Sequence, residues 1–339
     1  MSPGRALRVG IAGCGFIGRK RADALDGDEL VGCFDANREA SVSLAERHNS
    51  RVCSSLGGLL EQNLDVLVVA VTHDRLADLA VQGLQAAANV VVEKPAGIGV
   101  GDVDRVAAAA RTASRLVRVG YQHRFYPALV RATEIVRSGR LGDVMFVRGR
   151  YGHGGRVGYD REWRMDPARS GGGELVDQGM HLIDLVHWIM GPLPLHSALL
   201  RTNYWDAPVE DNAALLLGQP GPPNAPWAMI HATWTEWKNL FSLEIYCRLG
   251  KLAVDGLAKS YGSQTLRVYA MKPELGPPDV EVTAFPPTDV SWEHEWRSVR
   301  ADVLSGRLTL DDLASARYAW AVVEDAYSRN GYPLERAPA

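Results

Sequence analysis

The sequence predicts an α/β chain of two domains. A parallel sheet covered by helices on both faces comes first, followed by an α+β region whose mostly antiparallel sheet has one covered face. Three observations point there. Short, continuously apolar runs alternate with helical patterns through the first third. Beyond Gly120 strand-like segments crowd together with few helices between them. The 339 residues also allow about two domains at ~150 residues each.

In order, Leu7–Ala12 reads as a buried strand, then a glycine-rich turn and a helix over Phe16–Leu25. Strands at Leu30–Phe34, Val66–Val71, Val90–Val92 and Leu116–Val119 alternate with helices over Asn37–His48, Arg75–Ala88 and Val103–Ala113. A helix at Pro127–Ser138 leads to a strand at Val144–Tyr151, an arginine-rich loop and a helix over Asp177–Met190. Strands follow at His196–Tyr204, Ala213–Leu217, Ala228–Trp237, Phe241–Leu249, Lys251–Val254, Leu266–Met271 and Val280–Phe285. Phe241, Leu243 and Ile245 alternate with Ser242, Glu244 and Tyr246, the period-2 pattern of a sheet with one covered face. Helices over Glu293–Leu304 and Leu310–Ser328 close the chain, the second opening at a Thr309 cap. The domains divide at 1–122 and 123–339, with the last helix free to pack back on the first.

Composition narrows the function. Thirty-seven Lys and Arg against 40 Asp and Glu give a formal charge of −3, with no basic stripe for nucleic acid. No apolar run approaches the ~18 residues of a membrane span. Cys14, Cys33, Cys53 and Cys247 share no metal spacing and suit reduced, packed thiols of a cytoplasmic protein. Arg5 and Arg8 before Ile11-Ala12-Gly13-Cys14 imitate a lipoprotein signal, but Val9–Ala12 is far short of the ~7–15 residues such a segment needs.

Gly13-Cys14-Gly15-Phe16-Ile17-Gly18 is G-x-G-x-x-G between a strand and a helix, the Rossmann dinucleotide fingerprint. Asp35 ends the next strand, 17 residues beyond Gly18. A carboxylate there accepts both ribose hydroxyls of NAD and repels the 2′-phosphate of NADP, so NAD is the expected cofactor. Arg38 stands ready to stack on adenine or to hold a 2′-phosphate. Glu93-Lys94-Pro95 ends a parallel strand, on the edge where open α/β sheets place ligands. Asp177 and His181, four apart in a helical segment, share one face. A carboxylate beside an imidazole makes a usable acid–base pair.

Taken together, the opening fingerprint, Glu93-Lys94-Pro95, Gly120-Tyr121-Gln122-His123-Arg124-Phe125 and Gly171-Gly172-Gly173 with Asp177-x-Gly179-x-His181 resemble the glucose–fructose oxidoreductase/inositol dehydrogenase (Gfo/Idh/MocA) family over nearly the whole chain. The resemblance implies a Rossmann domain, an open-faced sheet domain that often mediates oligomers, and hydride transfer between nicotinamide and a sugar or cyclitol. It assigns Lys94, Asp177 and His181 to catalysis: His181 as acid–base, Asp177 tuning it, Lys94 steadying an alkoxide. The cofactor-binding set is Gly13, Gly15, Phe16, Ile17, Gly18, Asp35, Arg38, Thr72, Glu93, Lys94 and Gln122. One segment departs from the family: at Thr72-His73-Asp74-Arg75-Leu76-Ala77, His73 replaces the usual proline and Ala77 the usual histidine.

Substrate contacts are expected from Arg124, Tyr151, Trp163 and Arg164, together with Asp177 and His181. Arginines there would suit a phosphate or carboxylate, hence a sugar acid or nucleotide sugar. Asp177, His181, Asp184 and His187 lack a diagnostic metal spacing, and no metal is expected. The expected partners are a small sugar, nucleotide sugar or cyclitol and further copies of the chain (dimer or tetramer), with neither nucleic acid nor membrane. Two alternatives stand beside the dehydrogenase reading: redox-assisted glycoside cleavage on a retained NAD, and a cofactor-binding regulator without catalysis, against which Lys94, Asp177 and His181 speak.

Overall fold

A computed structural model describes residues 5–332. The chain divides into two compact units: the residues up to Tyr121 with Trp292–Arg317, and Gln122–Ser291 with the residues from Tyr318 on.

The first unit carries β1 (Arg8–Ala12), α1 (Phe16–Asp23), β2 (Glu29–Phe34), α2 (Arg38–His48), β3 (Arg51–Val52), α3 (Leu56–Leu60), β4 (Val66–Val69), α4 (His73–Gln85), β5 (Asn89–Glu93), α5 (Val100–Ala113) and β6 (Val117–Gly120). The strands are all parallel, in the order β3-β2-β1-β4-β5-β6. Every residue of β4 is buried, as a strand covered on both faces requires. The strand order reverses beside β1, so the turn that follows β1 opens at the sheet's ligand-binding edge. β3 and α3 were not expected. Two residues are too few to show a period, and the Leu56-Gly57-Gly58 start of α3 is a poor helix former held by a Ser55 cap on the Gly58 amide at 3.1 Å.

The second unit begins with α6 (Pro127–Arg137), β7 (Val144–Gly152), the single turn α7 (Pro167–Ser170) and a π-helical turn (Leu175–Gly179) that runs into α8 (Met180–Met190). Then come β8 (Leu195–Arg201), β9 (Asn212–Leu217), β10 (Trp227–Thr233), β11 (Leu240–Cys247), β12 (Gly250–Asp255), β13 (Thr265–Ala270) and β14 (Asp279–Ala284). They form one sheet in the order β14-β13-β12-β11-β7-β10-β9-β8, antiparallel except where β7 and β10 run parallel. Val147, Ile230 and Leu243 lie buried on the face that α8 covers. On the opposite face Leu199, Leu216, Trp227 and Met229 are exposed, and Phe146 stacks between Trp227 and Tyr246 at 4.7 and 4.2 Å.

Two helices end the described chain, α9 (Ser291–Ser305) and α10 (Asp311–Asn330). Trp296 and Val299 of α9 join the core built on Leu7, Val9, Ile11 and Val66. Arg118 of β6 donates to Asp302 at 2.7 Å and to Asp312 at 2.6 Å. The segment 292–317 therefore belongs with the first unit although 170 residues separate it from Tyr121. Thr309 accepts from the Asp311 amide at 3.1 Å, as a cap does. Among the described residues no helix is long and apolar enough to cross a membrane.

Candidate active site

In the first unit the turn between β1 and α1 is shaped by backbone contacts. Gly13 has φ +99°, and a side chain there would meet the Ala70 carbonyl oxygen at 2.2 Å. A Cβ on Gly18 would lie 1.9 Å from the Gly13 carbonyl oxygen, so helix and turn close only over a glycine. Gly15 differs: a Cβ there meets nothing within 4 Å, and as N-cap of α1 it has no side chain to satisfy the helix amides. Open space over an uncapped helix N-terminus is what a pyrophosphate needs. Asp35 holds the turn from the side, one carboxylate oxygen accepting from the Cys14 amide at 2.7 Å and the other from the Asn37 amide at 2.7 Å. Exposed Arg38 begins α2, and Phe16 is exposed at the start of α1. Thr72 is the N-cap of α4, yet its hydroxyl makes no capping bond and stays available. His73, the residue in place of the family's proline, is buried as the first residue of α4. These residues fit a bound dinucleotide.

The Glu93 carboxylate accepts from the Nε of buried Arg21 at 2.6 Å, and Arg21 also binds Glu295 of α9. Two carboxylates share one guanidinium here. Burial, with Glu93 close by, pushes Glu295 up to about 7. This buried pairing anchors the strand end from which Lys94 emerges, half-buried and joined to Pro95 by a cis peptide bond.

In the second unit the segment that bears Asp177 and His181 sits on a distorted helix. Asp177 lies in the π-helical turn and buried His181 in the first turn of α8. π-Turns within helices are frequent at functional sites. Asp177 accepts from the Nε of Arg164 at 3.3 Å, and the Arg164 guanidinium stands over the Trp163 ring at 4.8 Å. Burial opposes the Arg164 charge, but Asp177, Tyr159 and Glu162 outweigh it and raise its pKa. The His181 imidazole stacks on His123 at 3.8 Å with planes 25° apart, and the Tyr151 ring meets it edge-on at 6.2 Å. Burial raises the Tyr151 hydroxyl pKa well above its usual range, so it stays protonated. His153 has its pKa lowered by burial, and its Nδ1 accepts from the Gly155 amide at 2.9 Å. Gln178 donates to the Tyr261 hydroxyl at 3.0 Å.

The Nε of Arg124 donates to Asp184 at 2.8 Å and a second nitrogen grips the other carboxylate oxygen, a two-pronged pair that ties the segment 122–125 to α8. Gln122 begins that same short helical turn, half-buried.

Sequence reasoning missed the support beneath the glycine run. Glu210, fully buried, accepts from the Leu175 amide at 2.9 Å, the Gly173 amide at 3.3 Å and the Tyr327 hydroxyl at 2.9 Å. Side chains on Gly172 and Gly173 would strike Tyr327 and the Glu210 backbone at 2.0 and 2.1 Å, which is why the run is glycine. Nothing local in the sequence marks Glu210 or Tyr327. His123 did carry a signal, because it lies inside the Gly120–Phe125 segment already singled out.

The comparisons agree with this architecture. Residues 7–121 match the sequence model of the oxidoreductase family with the NAD-binding Rossmann fold, and residues 129–253 match a GFO/IDH/MocA C-terminal domain. The chain belongs to the GFO/IDH/MocA family. It is 26% identical over 192 residues to inositol 2-dehydrogenase of Salmonella typhimurium, covering 54% of each chain. It thus spans about half the length of the curated relatives it matches. Among solved structures, GenD2 from gentamicin A biosynthesis in complex with NAD superposes with a TM-score of 0.81 at 24% identity, over 97% of this chain and 95% of that one. Levoglucosan dehydrogenase in complex with NADH and levoglucosan gives 0.83 at 18% identity, over 96% and 98%. At these identities the structural likeness speaks for the fold.

Proposed function

We propose that this GFO/IDH/MocA member is an NAD(P)-dependent dehydrogenase or ketoreductase acting on a secondary hydroxyl, or the matching ketone, of an uncharged sugar or cyclitol. The observation that carries this reading is a buried imidazole one turn beyond a carboxylate on a π-distorted helix, in a chain whose first unit offers an open glycine cradle. NAD(P), when bound, supplies the hydride acceptor or donor. Gly13, Gly15, Phe16, Ile17, Gly18, Asp35, Arg38, Thr72 and Gln122 are the residues proposed to hold it. His181 takes the hydroxyl proton in oxidation and returns one in reduction. Asp177 favours the protonated form of that ring, and Lys94 steadies the developing alkoxide.

An uncharged substrate is preferred because the two candidate arginines already face carboxylates: Arg124 faces Asp184, and Arg164 faces Asp177 and Glu162. Trp163 and Arg164 then contribute shape and hydrogen bonds, while a nucleotide-linked sugar would have to bring its phosphates elsewhere. NAD is preferred over NADP, since Asp35 places a negative charge where a 2′-phosphate would lie. The exposed sheet face with Leu199, Leu216, Trp227 and Met229 suits a homo-oligomer contact, which a monomer in light scattering would remove.

A panel of sugars and cyclitols followed by NADH absorbance tests the reading. Turnover should appear with a neutral polyol and fall ~10²–10⁴-fold in His181→Ala with cofactor affinity retained. Near-normal turnover in that variant removes His181 from the chemistry, and tighter binding of NADP than NAD removes the role given to Asp35. Sugar release without net NADH would point instead to glycoside cleavage.

A further inference from the structure

His181 sits near the start of a helix, and a histidine side chain turns about two bonds. Proton transfer to a sugar hydroxyl needs one ring plane, because small misalignments of reacting groups cost rate steeply. The fold supplies that plane through His123. The two rings lie nearly parallel at 3.8 Å, both residues are almost wholly buried, and Tyr151 closes the pair with an edge contact to His181 at 6.2 Å. His123 is itself boxed in by Tyr126 at 5.4 Å and Tyr151 at 5.2 Å. The Arg124–Asp184 pair then fastens the residue following His123 to α8, the helix that bears His181. A stacked face and an edge hold the His181 ring to one plane, and the two-pronged clamp fastens the neighbouring segment to its helix.

We propose that His123 is a positioning residue for His181, its flat ring fixing the plane from which His181 exchanges a proton. The inference rests on the acid–base role proposed above for His181. It assigns His123 no proton of its own and no contact with the reacting atoms.

The test pairs two substitutions in the full-length protein, His123→Ala and His123→Phe, with His181→Ala alongside. His123→Ala should lower kcat at least tenfold while KM for cofactor and sugar stays within about twofold, a loss of alignment rather than of binding. His123→Phe keeps a flat face and should recover kcat to within about fivefold of the parent. A parent-like kcat in His123→Ala overturns the proposal, and so does a His123→Phe variant as slow as His123→Ala. Should His123→Ala fail to fold, the Phe variant decides alone, a kcat below a tenth of the parent being the overturning result. Histidine-selective carbon-13 NMR reads the stack without any turnover. The His181 ring signal carries the ring-current shift of its neighbour, which His123→Ala should abolish and His123→Phe should keep. An unmoved His181 signal in His123→Ala overturns the positioning role. Full turnover in His181→Ala would instead sink the catalytic reading, so the two failures are told apart.

Discussion

The glycine turn after β1 and the cluster around His181 are held in shape by opposite means. Between β1 and α1 the backbone does the holding: Gly13 and Gly18 are demanded by carbonyl oxygens at 2.2 and 1.9 Å, and Gly15 by the space left over it. Around His181 the side chains do it. His123, Tyr151, Arg164 and Glu210 come from four separate stretches of the chain to fix one helical turn and its leading loop. A site made from backbone is written in consecutive residues, whereas a site made from side chains is written in contacts that exist only after folding.

The largest expected effects lie in the turn, where two glycines of one motif should fail differently. Gly18→Val drives a branched side chain into the Gly13 carbonyl and should abolish cofactor binding while lowering Tm by several degrees. Gly15→Ala adds a methyl into open space, so the melting temperature should barely move, whereas NADH affinity by fluorescence titration should drop tenfold or more. Equal damage to stability from both substitutions would erase the distinction between a glycine kept for folding and one kept for a ligand.

That distinction also explains what was legible. The parallel sheet, its order of strands and helices, and the glycine turn were readable because apolar runs and G-x-G-x-x-G are local patterns. The four-residue spacing of Asp177 and His181 is local too, whereas nothing in the sequence marks the π-helical turn that carries Asp177. The partners of Glu93 are not legible in that way, because Arg21 and Glu295 lie 72 and 202 residues away along the chain. Nor is the pairing of Arg124, whose Asp184 lies 60 residues on. Of the segment 292–317 only the return of the last helix is anticipated, since Trp296 and Arg118 find their partners only in three dimensions.

The side-chain-built region also carries a pH signature of its own. Burial raises the Glu210 carboxyl to about 7, above the ordinary 4.5, although Leu175, Tyr327 and Gly173 all donate to it. Between these two values the folded protein keeps a proton that the unfolded chain has lost, so stability falls as pH rises. Its contribution is complete below pH 4.5 and gone once pH passes the folded value, a swing of about 3 kcal/mol at most. Glu295 in the first unit has the same sign, its pKa also being raised to about 7. Glu210→Gln should therefore reduce, not erase, the decline in urea midpoint between pH 4.5 and pH 8. The residual slope belongs to Glu295, whose carboxylate keeps a guanidinium partner while Glu210 has only amides and a phenol. Were the slope in Glu210→Gln to match the parent, the buried acid beneath the glycine run would be ionised in the folded state after all. The loop ahead of His181 would then be held by a charge rather than by a neutral hydrogen-bonding group.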